Sequence, residues 1–502
     1  MRGIFSNLIF DIPLTGKRIL MPTSPTEEEP INNIYYQMRK LVGIRGFTTN
    51  TPPIKGRIKE DIADFIVQEI LPSGEILSTR PTNQSKKNKN QTSTVENYSK
   101  KEKRFTTFTL VKKNADTIYA AEIIRDYLKV KEGDLQWAGI KDHTAITAQR
   151  FSVRGNFINK LQHFYHPNIS ISNISLSRHA VKLGHLWGNH FTINIRHINK
   201  DYEEIKPILN EWKKQINELG FPNYYGMQRF GQHRPNSHIV GKYLFMHQYK
   251  EAVEEFLFTV YPLEFEKIRE ARIELSEKAK KGIWDADLPR SLHYEKRIVH
   301  YLNEHPDDYK GAILKLPSSL INLIFSSFQS YLFNSAVSYR LEQKDTLHQP
   351  INGDIVSILK DEYGHPSLVF YRYHGGDGWN DTNIIKAFQH HRAAIVAPIL
   401  GYKTKLDEFP SFQHIYTTFL NEYDFTLKYF DHKIPGLFSF EGTFRAINNY
   451  PTNLKISQAH VINHYPKLDP HGIKLEFSLP KGTYATMLLA ELRKHFIDFT
   501  KS

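Results

Sequence analysis

The sequence predicts an α+β protein in which strands from distant parts of the chain share one sheet and a separate domain is inserted between them. Three observations lead to this prediction. Stretches of alternating apolar and polar residues occur towards both ends of the chain, a helical pattern follows two of them, and residues 221–447 have a different composition, with helices and short segments punctuated by Gly and Pro.

The first strand is predicted at residues 64–69 (DFIVQE). Because side chains alternate across a strand, Phe65, Val67 and Glu69 are expected on one face. An acidic side chain therefore shares the apolar face, and a buried acid needs a partner.

A second strand and a helix are predicted next along the chain. Residues 105–112 have strand character, and apolar residues recur at helical spacing over 117–130 behind Asp116, a candidate N-cap. Strand and helix therefore alternate in this part of the chain.

Two later strands are predicted far apart, at residues 190–196 (HFTINIR) and around 475–479. Each places three apolar side chains on one face, so the two strands are expected in a common sheet. Helices are expected at 249–258 and 318–341, inside the inserted domain.

The composition indicates a folded globular protein. The 502 residues leave room for two or three domains, and 40% are hydrophobic. No apolar run is long enough to span a membrane, and the short apolar stretch at residues 4–10 does not match a secretory signal. The absence of cysteine excludes disulfides, thiolate zinc sites and cysteine nucleophiles, so we expect a reducing cytoplasm.

The charge balance indicates a polyanionic partner. Lysine and arginine number 66 against 53 acidic residues, a net charge of +13, and nucleic acid is the leading candidate. Part of this excess lies in residues 84–104, a Lys/Asn/Ser-rich tract that we expect to be a disordered loop. The alternative is an arm that contacts RNA.

Motifs for cofactors and metals are not found. The glycines at 226 and 231 are followed by Gln-His rather than by the Lys-Ser/Thr of a P-loop, and those at 375–378 lack the dinucleotide-binding pattern. Among the histidines none forms HExxH, and the pair at 390–391 has no evident acidic partner. We therefore expect no nucleotide cofactor and no metal.

Residues 137–153 (WAGIKDHTAITAQRFSV) contain the most informative acid, Asp142. It lies in a short turn before an alternating stretch, and Gly139 is expected to let the backbone turn where a side chain would clash. Lys141 and Lys59 are available to keep the aspartate ionised, as a nucleophile or base requires. A solvated ion pair on a surface turn is the alternative.

Six segments, in order along the chain, together resemble the TruD family of pseudouridine synthases, in its archaeal and eukaryotic branch. They are 64–69 (DFIVQE), 137–149 (WAGIKDHTAITAQ), 188–191 (GNHF), 220–231 (GFPNYYGMQRFG), 328–341 (FQSYLFNSAVSYRL) and 479–492 (LPKGTYATMLLAEL). The resemblance covers about Gly43 to Lys494. The chain departs from the family pattern at Ile140, His190 and Tyr225, where the family has Thr, Arg and Phe.

The resemblance implies a pseudouridine synthase catalytic domain, a mixed sheet flanked by helices, interrupted by an insertion domain that forms one wall of an RNA cleft. The expected divisions are an N-terminal extension at 1–45, the catalytic domain at 46–220 and 448–502, and the insertion domain at 221–447. The expected activity is conversion of uridine to pseudouridine in RNA, with position 13 of tRNA as the target. The protein is expected to act as a monomer.

The resemblance also implies catalytic roles for three residues. Asp142 matches the catalytic aspartate, which attacks the ribose C1′ or removes its 2′ proton. Lys59 matches the basic residue that pairs with it, with a solvated surface lysine as the alternative. Phe191 resembles the aromatic that stacks on the flipped base. Core packing is the alternative for Phe191, because it shares a strand face with Ile193 and Ile195.

Other residues are candidates for substrate binding or support. Asn189 is expected to bind the uracil edge or the Asp142 loop, with turn formation as the alternative. Lys141 is expected to bind the substrate. Glu69 and Gln149 are expected to support the site from beneath.

The expected junction of the domains supplies further substrate-binding candidates. They are Asn223, Gln228, Arg229 and Tyr484. Packing at a hinge, and for Tyr484 a buried helix start, are the alternatives. A competing interpretation of the whole chain is an RNA-binding or RNA-folding protein that has lost turnover; the intact Asp142 argues against it, because a carboxylate repels phosphate.

Overall fold

The computed structural model describes residues 9–11, 18–20, 28–80, 104–285, 287–361, 364–432, 434, 436–462 and 465–494. The tract at 84–104 that we predicted to be disordered therefore lies, except for Arg104, outside the described residues.

Seventeen strands are described. In chain order they are β1 (Ile9–Asp11), β2 (Arg18–Leu20), β3 (Arg57–Ile58), β4 (Phe65–Ile70), β5 (Phe105–Lys113), β6 (Leu135–Trp137), β7 (Ile146–Arg154), β8 (Ile169–Ser177), β9 (Gly188–Arg196), β10 (Phe221–Pro222), β11 (Ile355–Leu359), β12 (Pro366–Arg372), β13 (Ala393–Ile399), β14 (Thr443–Ala446), β15 (Asn448–Asn449), β16 (Thr452–His460) and β17 (Leu468–Pro480).

Thirteen α-helices are described. They are α1 (Glu28–Leu41), α2 (Thr117–Leu128), α3 (Ile158–Gln162), α4 (Tyr202–Leu219), α5 (Ser237–Phe245), α6 (Tyr249–Leu257), α7 (Glu266–Ala279), α8 (His293–Glu304), α9 (Tyr309–Ile313), α10 (Ser318–Glu342), α11 (Trp379–Gln389), α12 (Pro410–Glu422) and α13 (Ala485–Arg493). No helix in the described ranges is both long enough and apolar enough to cross a bilayer.

Nine strands form one mixed sheet with the order β16-β17-β9-β4-β7-β5-β8, to which β3 is added beside β9 and β6 beside β7. β4 and β7 run parallel, whereas β9 is antiparallel to both β4 and β17. Phe191 on β9 therefore stands between Val67 on β4 and Phe477 on β17. The prediction that strands from distant parts of the chain share a sheet is confirmed.

A second, antiparallel sheet of four strands, in the order β12-β11-β13-β14, is built from residues within 221–447. The chain enters and leaves this part side by side, because β10 pairs with β15, with Phe221 opposite Asn449. The two parts share one hydrophobic core, since Phe191 and Phe477 belong to the same packed cluster as Phe328. The inserted residues are therefore packed onto the rest of the chain rather than joined to it by a linker.

The longest helix, α10, is buried along most of its length and holds the segment that follows α1. The amide of Asn334 donates to the carbonyl oxygen of Val42 over 3.0 Å, and the hydroxyl of Ser338 donates to that of Gly43 over 2.6 Å. Buried residues on all sides of this helix follow from its central position.

The predicted elements are confirmed with small changes at their ends. The strand predicted at 64–69 is β4, which begins one residue later because Asp64 lies in a short 3₁₀ turn. The helix predicted at 117–130 is α2, and Asp116 occupies its N-cap position without a side-chain capping hydrogen bond.

One steric prediction was wrong. A Cβ added to Gly139 would meet open space, so the turn before Asp142 does not need glycine for steric reasons. Close approach is required instead at Gly188, the first residue of β9, where a Cβ would clash with the carbonyl oxygen of Leu479 on the neighbouring strand.

Candidate active site

The loop between β6 and β7, residues 138–145, is bonded both to α2 and to the large sheet. The backbone N–H of Lys141 donates to the Thr117 hydroxyl at the start of α2 over 3.0 Å. The amide of Gln149, on β7, donates to the Gly139 carbonyl oxygen over 3.1 Å. The loop is thus held from the helix and from the sheet, and Asp142 has a defined position.

Asp142 lies beside Lys59, as predicted. The Lys59 ammonium is 3.4 Å from Asp142 Oδ1; the lysine side chain is 9% exposed and the aspartate side chain 31% exposed. The same ammonium lies 4.3 Å from the centre of the Phe65 ring, which adds a cation–π contact. Lys59 is therefore a buried partner of an accessible carboxylate, which differs from a solvated surface pair.

Lys112, at the end of β5, lies beneath the loop. Its ammonium donates to the backbone carbonyl oxygen of Asp142 over 2.5 Å and to that of Lys141 over 3.4 Å. Burial lowers the pKa of Lys112 from its ordinary value to about 8, and the charges of Asp142 and Asp116 oppose this shift. A second cation thus sits behind the aspartate.

Lys141 points away from the solvent and pairs with Glu69. Its ammonium is 3.1 Å from Glu69 Oε2, and both side chains are buried. The other carboxylate oxygen of Glu69 accepts from the backbone N–H of Arg150 over 3.3 Å. Glu69 is therefore the buried, partnered acid that the strand pattern predicted. We expected Lys141 to help keep Asp142 ionised, but its ammonium pairs with Glu69 instead.

Gln149 and Asn189 share one row across the sheet with Glu69. Gln149 is fully buried, and its Oε1 accepts from the Thr117 hydroxyl over 3.2 Å, so it links the sheet to α2 and to the loop. Asn189 lies in β9, so the alternative that it forms a turn is wrong. Its Oδ1 is buried and has no hydrogen-bond partner among the described residues.

The Phe191 ring is packed into the core. It is 5% exposed, stacks on Phe477 at a centroid distance of 5.4 Å and meets the edge of Phe65 at 6.4 Å. Phe65 in turn carries the cation–π contact with Lys59. This packing corresponds to the alternative that we gave for Phe191, and it places the ring one aromatic neighbour away from the Lys59–Asp142 pair.

At the junction with the inserted residues, Asn223 is buried and bound to the backbone. Its amide donates to the Ala446 carbonyl oxygen over 2.8 Å, and its Oδ1 accepts from Arg445 Nη2 over 2.6 Å. The Arg445 guanidinium lies 4.2 Å from the centre of the Tyr225 ring. Asn223 therefore joins the segment where the chain enters the inserted residues to the segment where it leaves them.

The other junction candidates are more accessible. Gln228 is exposed, and Arg229 is half-buried and donates from Nε to the Ser330 hydroxyl over 3.2 Å. Tyr484 meets the edge of Tyr225 at 6.3 Å, and burial raises the pKa of its phenol. These groups form a polar and aromatic surface where β17 ends and α13 begins.

His190 points to the opposite face of the sheet and bonds to the Ser478 hydroxyl at 2.9 Å. Burial lowers its pKa below the ordinary value, so the ring is neutral near pH 7. A charged role for this position is therefore limited to acidic conditions.

Lys112 and Arg445 were not predicted from the sequence as residues of the site. Lys112 alternates in phase with Phe108 and Leu110, which should have indicated an inward-facing lysine and hence a partner. For Arg445 no local signal exists, because its partners Asn223 and Gly482 are distant in sequence. Across the described ranges, no group of three or more histidine, aspartate or glutamate side chains is arranged to hold a metal ion.

Comparison with known proteins identifies a single family over nearly the whole chain. A family model described as "tRNA pseudouridine synthase D (TruD)" matches residues 41–492. Proteins named "Probable tRNA pseudouridine synthase D" from Methanosarcina barkeri and Pyrococcus furiosus are 30% and 29% identical; each alignment covers 91% of this chain, and 98% and 100% of the relative.

A solved structure agrees with the sequence matches. The crystal structure of a Methanosarcina mazei protein assigned to tRNA pseudouridine synthase D (TruD) superimposes with a TM-score of 0.70 at 27% sequence identity. The match covers 91% of this chain and 98% of that chain.

Proposed function

The chain belongs to the TruD family of tRNA pseudouridine synthases, which isomerise uridine to pseudouridine in tRNA, and on that premise we propose position 13 of tRNA as its target and Asp142 as its catalytic residue. The observation that carries the assignment is the environment of Asp142. Its carboxylate is accessible, faces the buried ammonium of Lys59 at 3.4 Å, and stands on a loop anchored from two sides.

The chemistry requires such a carboxylate. Whether it attacks the ribose C1′ or removes the 2′ proton, the aspartate has to be ionised and has to reach the sugar. Lys59 and Lys112 supply positive charge around it, while its exposed side leaves room for a nucleotide. Catalysis then depends on holding the carboxylate in place, which the loop contacts achieve before the substrate arrives.

Glu69, Lys141 and Gln149 are proposed as positioning residues. The Glu69–Lys141 pair lies beneath the loop, and Gln149 ties the loop to the sheet through the Gly139 carbonyl oxygen. Because the Lys141 ammonium is buried in this pair, we propose that it supports the loop rather than contacting RNA. Loss of one partner would leave a buried charge and move Asp142.

The residues proposed to contact the substrate carry polar groups that can form further hydrogen bonds. Asn189 Oδ1 has no partner among the described residues, and we propose that Asn189 bonds to the uracil edge. At the junction, Gln228, Arg229 and Tyr484 are proposed to contact the RNA backbone or bases, whereas Asn223 is proposed to maintain the junction. Phe191 is proposed to form the apolar floor that supports Phe65 and Lys59.

The test is conversion of an unmodified tRNA transcript by the purified protein, followed by carbodiimide mapping of pseudouridine. We expect one modified uridine, at position 13, and the same site should lose its modification in a deletion strain. Binding of the transcript without any conversion would support the competing RNA-binding interpretation. Conversion at a different uridine would contradict the assignment of position 13 alone.

RNA binding is expected to weaken steeply as salt increases. A protein of net charge +13 that neutralises several phosphates releases counterions on binding, so the logarithm of the affinity falls linearly with that of the salt concentration. Filter binding of a tRNA transcript between about 50 and 200 mM salt measures the slope. An affinity that does not change with salt concentration would show that the basic surface does not bind the RNA.

Turnover is expected to decrease as pH rises through about 8, where Lys112 loses its proton. The charge behind Asp142 is then removed. This loss of turnover does not come from unfolding. Above that pKa the unfolded chain, in which the lysine has its ordinary pKa, binds more protons at this site than the native chain does. The contribution of Lys112 to the free energy of unfolding therefore increases with pH. Single-turnover rates and thermal melts across this range separate the two effects. A rate that stays constant through pH 8 would contradict the role of Lys112.

The remaining assignments follow the family. We propose that residues 46–220 and 448–502 form the catalytic domain and 221–447 the insertion domain, and that the protein works as a monomer in the cytoplasm. The side-by-side chain crossings at β10 and β15 and the cysteine-free composition support this proposal. Sedimentation at several protein concentrations tests the oligomeric state.

A further inference from the structure

An apolar groove of about 440 Å³ lies beside the Asp142 loop. Its wall includes Ile118 from α2, Trp137 from β6, Ile140 from the loop, and Leu183 from the segment between β8 and β9. We call it the Leu183 groove. Its volume falls within the range of small-molecule sites.

Large apolar side chains of this groove are exposed. Leu183 is 84% exposed and Ile140 70%. Exposed apolar residues are ordinary when scattered, but a contiguous set around a concave surface marks a binding site. The wall is completed by Trp137, whose indole is stacked on Phe151 at 5.3 Å and so has a fixed orientation.

The segment that carries Leu183 is held rigidly against the Asp142 loop. The backbone N–H of Gly184 donates to the Ala138 carbonyl oxygen over 2.7 Å, and Ala138, Val181 and Leu186 form a small buried cluster. Lys481 donates to the carbonyl oxygen of Gly184 over 2.8 Å. Leu183 is therefore presented to solvent by a fixed scaffold and not by a loose loop.

Part of the groove wall and the catalytic carboxylate belong to the same loop. Along Ile140-Lys141-Asp142 the middle side chain points inward to Glu69, while its two neighbours are exposed or half-exposed. Ile140 and Asp142 are two residues apart, at most about 7 Å between their Cα atoms. A single RNA segment is therefore able to contact both the groove and Asp142.

The segment that carries Leu183 also carries a cation that suits RNA. Lys182 and His185 are exposed on either side of Leu183. A cation next to an apolar wall can neutralise a phosphate while the attached base is buried. A protein partner seated here would cover the approach to Asp142, so the substrate is the better occupant.

We propose that the Leu183 groove binds an unpaired base of the RNA next to the target uridine. This inference rests on the proposed function and adds a contact that selects the sequence or structure around the target. Enzymes that act on a flipped base gain selectivity from contacts to the neighbouring nucleotides. Apolar and aromatic surfaces hold such bases by stacking, with little dependence on hydrogen bonding.

The experiment combines one variant with altered RNAs. Leu183→Ser removes the exposed wall without touching the core, and Leu314→Ser, at a leucine outside the groove that is 46% exposed, is the control. Each protein is tested on a tRNA transcript and on two versions in which the nucleotide before or after the modified uridine is abasic. RNA affinity and single-turnover rate are both measured, and thermal melts check that folding is unchanged.

We expect one abasic RNA to lower the efficiency of the wild-type enzyme about five- to 150-fold, the range given by loss of one stacked base. Leu183→Ser should cause a similar loss on intact RNA, and the two losses should not multiply, because they remove the same contact. Leu314→Ser should behave like wild type. Losses that multiply, or a Leu183→Ser variant as efficient as wild type, would overturn the inference.

Two further outcomes separate this inference from the proposed function. One outcome is that the wild type converts no RNA while the abasic substitution and Leu183→Ser still weaken RNA binding by amounts that do not multiply. In that case the inference about the groove holds and the catalytic assignment is wrong. If Leu183→Ser leaves RNA binding unchanged and instead dissociates a dimer seen by sedimentation, the groove is a contact between two copies of the chain, and the inference is wrong.

Discussion

Asp142→Asn is expected to reduce pseudouridine formation to below about one per cent of the wild-type rate while leaving RNA affinity within a few fold. The amide keeps the size and most of the hydrogen bonding of the side chain, but it has no negative charge with which to attack C1′ or accept a proton. Since the carboxylate is 31% exposed and its loop is held through backbone atoms, the variant should still fold, but with a lower free energy of unfolding because the buried Lys59 loses its charge partner.

Asp116→Asn provides the control for this experiment. Asp116 is an exposed aspartate near the same loop, and its side chain makes no capping hydrogen bond at the start of α2. Its substitution should leave turnover within a few fold of wild type. Rapid-quench single-turnover assays with mapped product compare the two variants. Appreciable turnover by Asp142→Asn would remove Asp142 from the catalytic role.

Phe191→Ala is expected to lower the free energy of unfolding by about 3–5 kcal/mol, the usual effect of truncating a buried phenylalanine. The ring is 5% exposed and fills the space between Phe477 and Phe65, so the variant leaves a cavity in the sheet face beneath the site. Turnover should fall less than in Asp142→Asn, because the effect reaches Lys59 only through Phe65.

The measurements for Phe191 are a chemical denaturation curve and single-turnover kinetics on the same preparation. Phe191→Leu retains most of the buried area and should recover most of the stability. A variant that melts like wild type yet loses nearly all turnover would give the opposite result. It would show that the ring stacks on the flipped uracil and is uncovered when RNA binds.

The sequence predicted the elements and the central acid because these depend on local patterns. The alternation in β4 and β9 fixes which side chains share a face, and the strand character of 105–112 and the helical spacing of 117–130 gave β5 and α2 almost to the residue. Fixing Lys59 beside Asp142 required the family resemblance as well, since the two residues are far apart along the chain.

The errors concern contacts that depend on which strand lies opposite. Turn formation at Asn189, the alternative given for this residue, is wrong because β17 pairs with this segment, which continues as a strand. Lys141 looked like a partner of its neighbour Asp142, but its ammonium points inward from the loop and pairs with Glu69 on β4. Glycine was placed by local reasoning at 139, whereas the tight approach is at Gly188 against Leu479.

The position of β17 has a consequence for the way the protein is made. β9 pairs on one side with β4, which is synthesised earlier. Its other side stays unpaired until β17, near the end of the chain, has been synthesised. Until then the emerging chain presents an open strand edge bordered by Phe191, which lacks its neighbour Phe477. Open edges of this kind favour pairing between chains. Fragments ending before residue 468 are therefore expected to aggregate, and the cell has to protect the incomplete sheet throughout synthesis of the inserted residues.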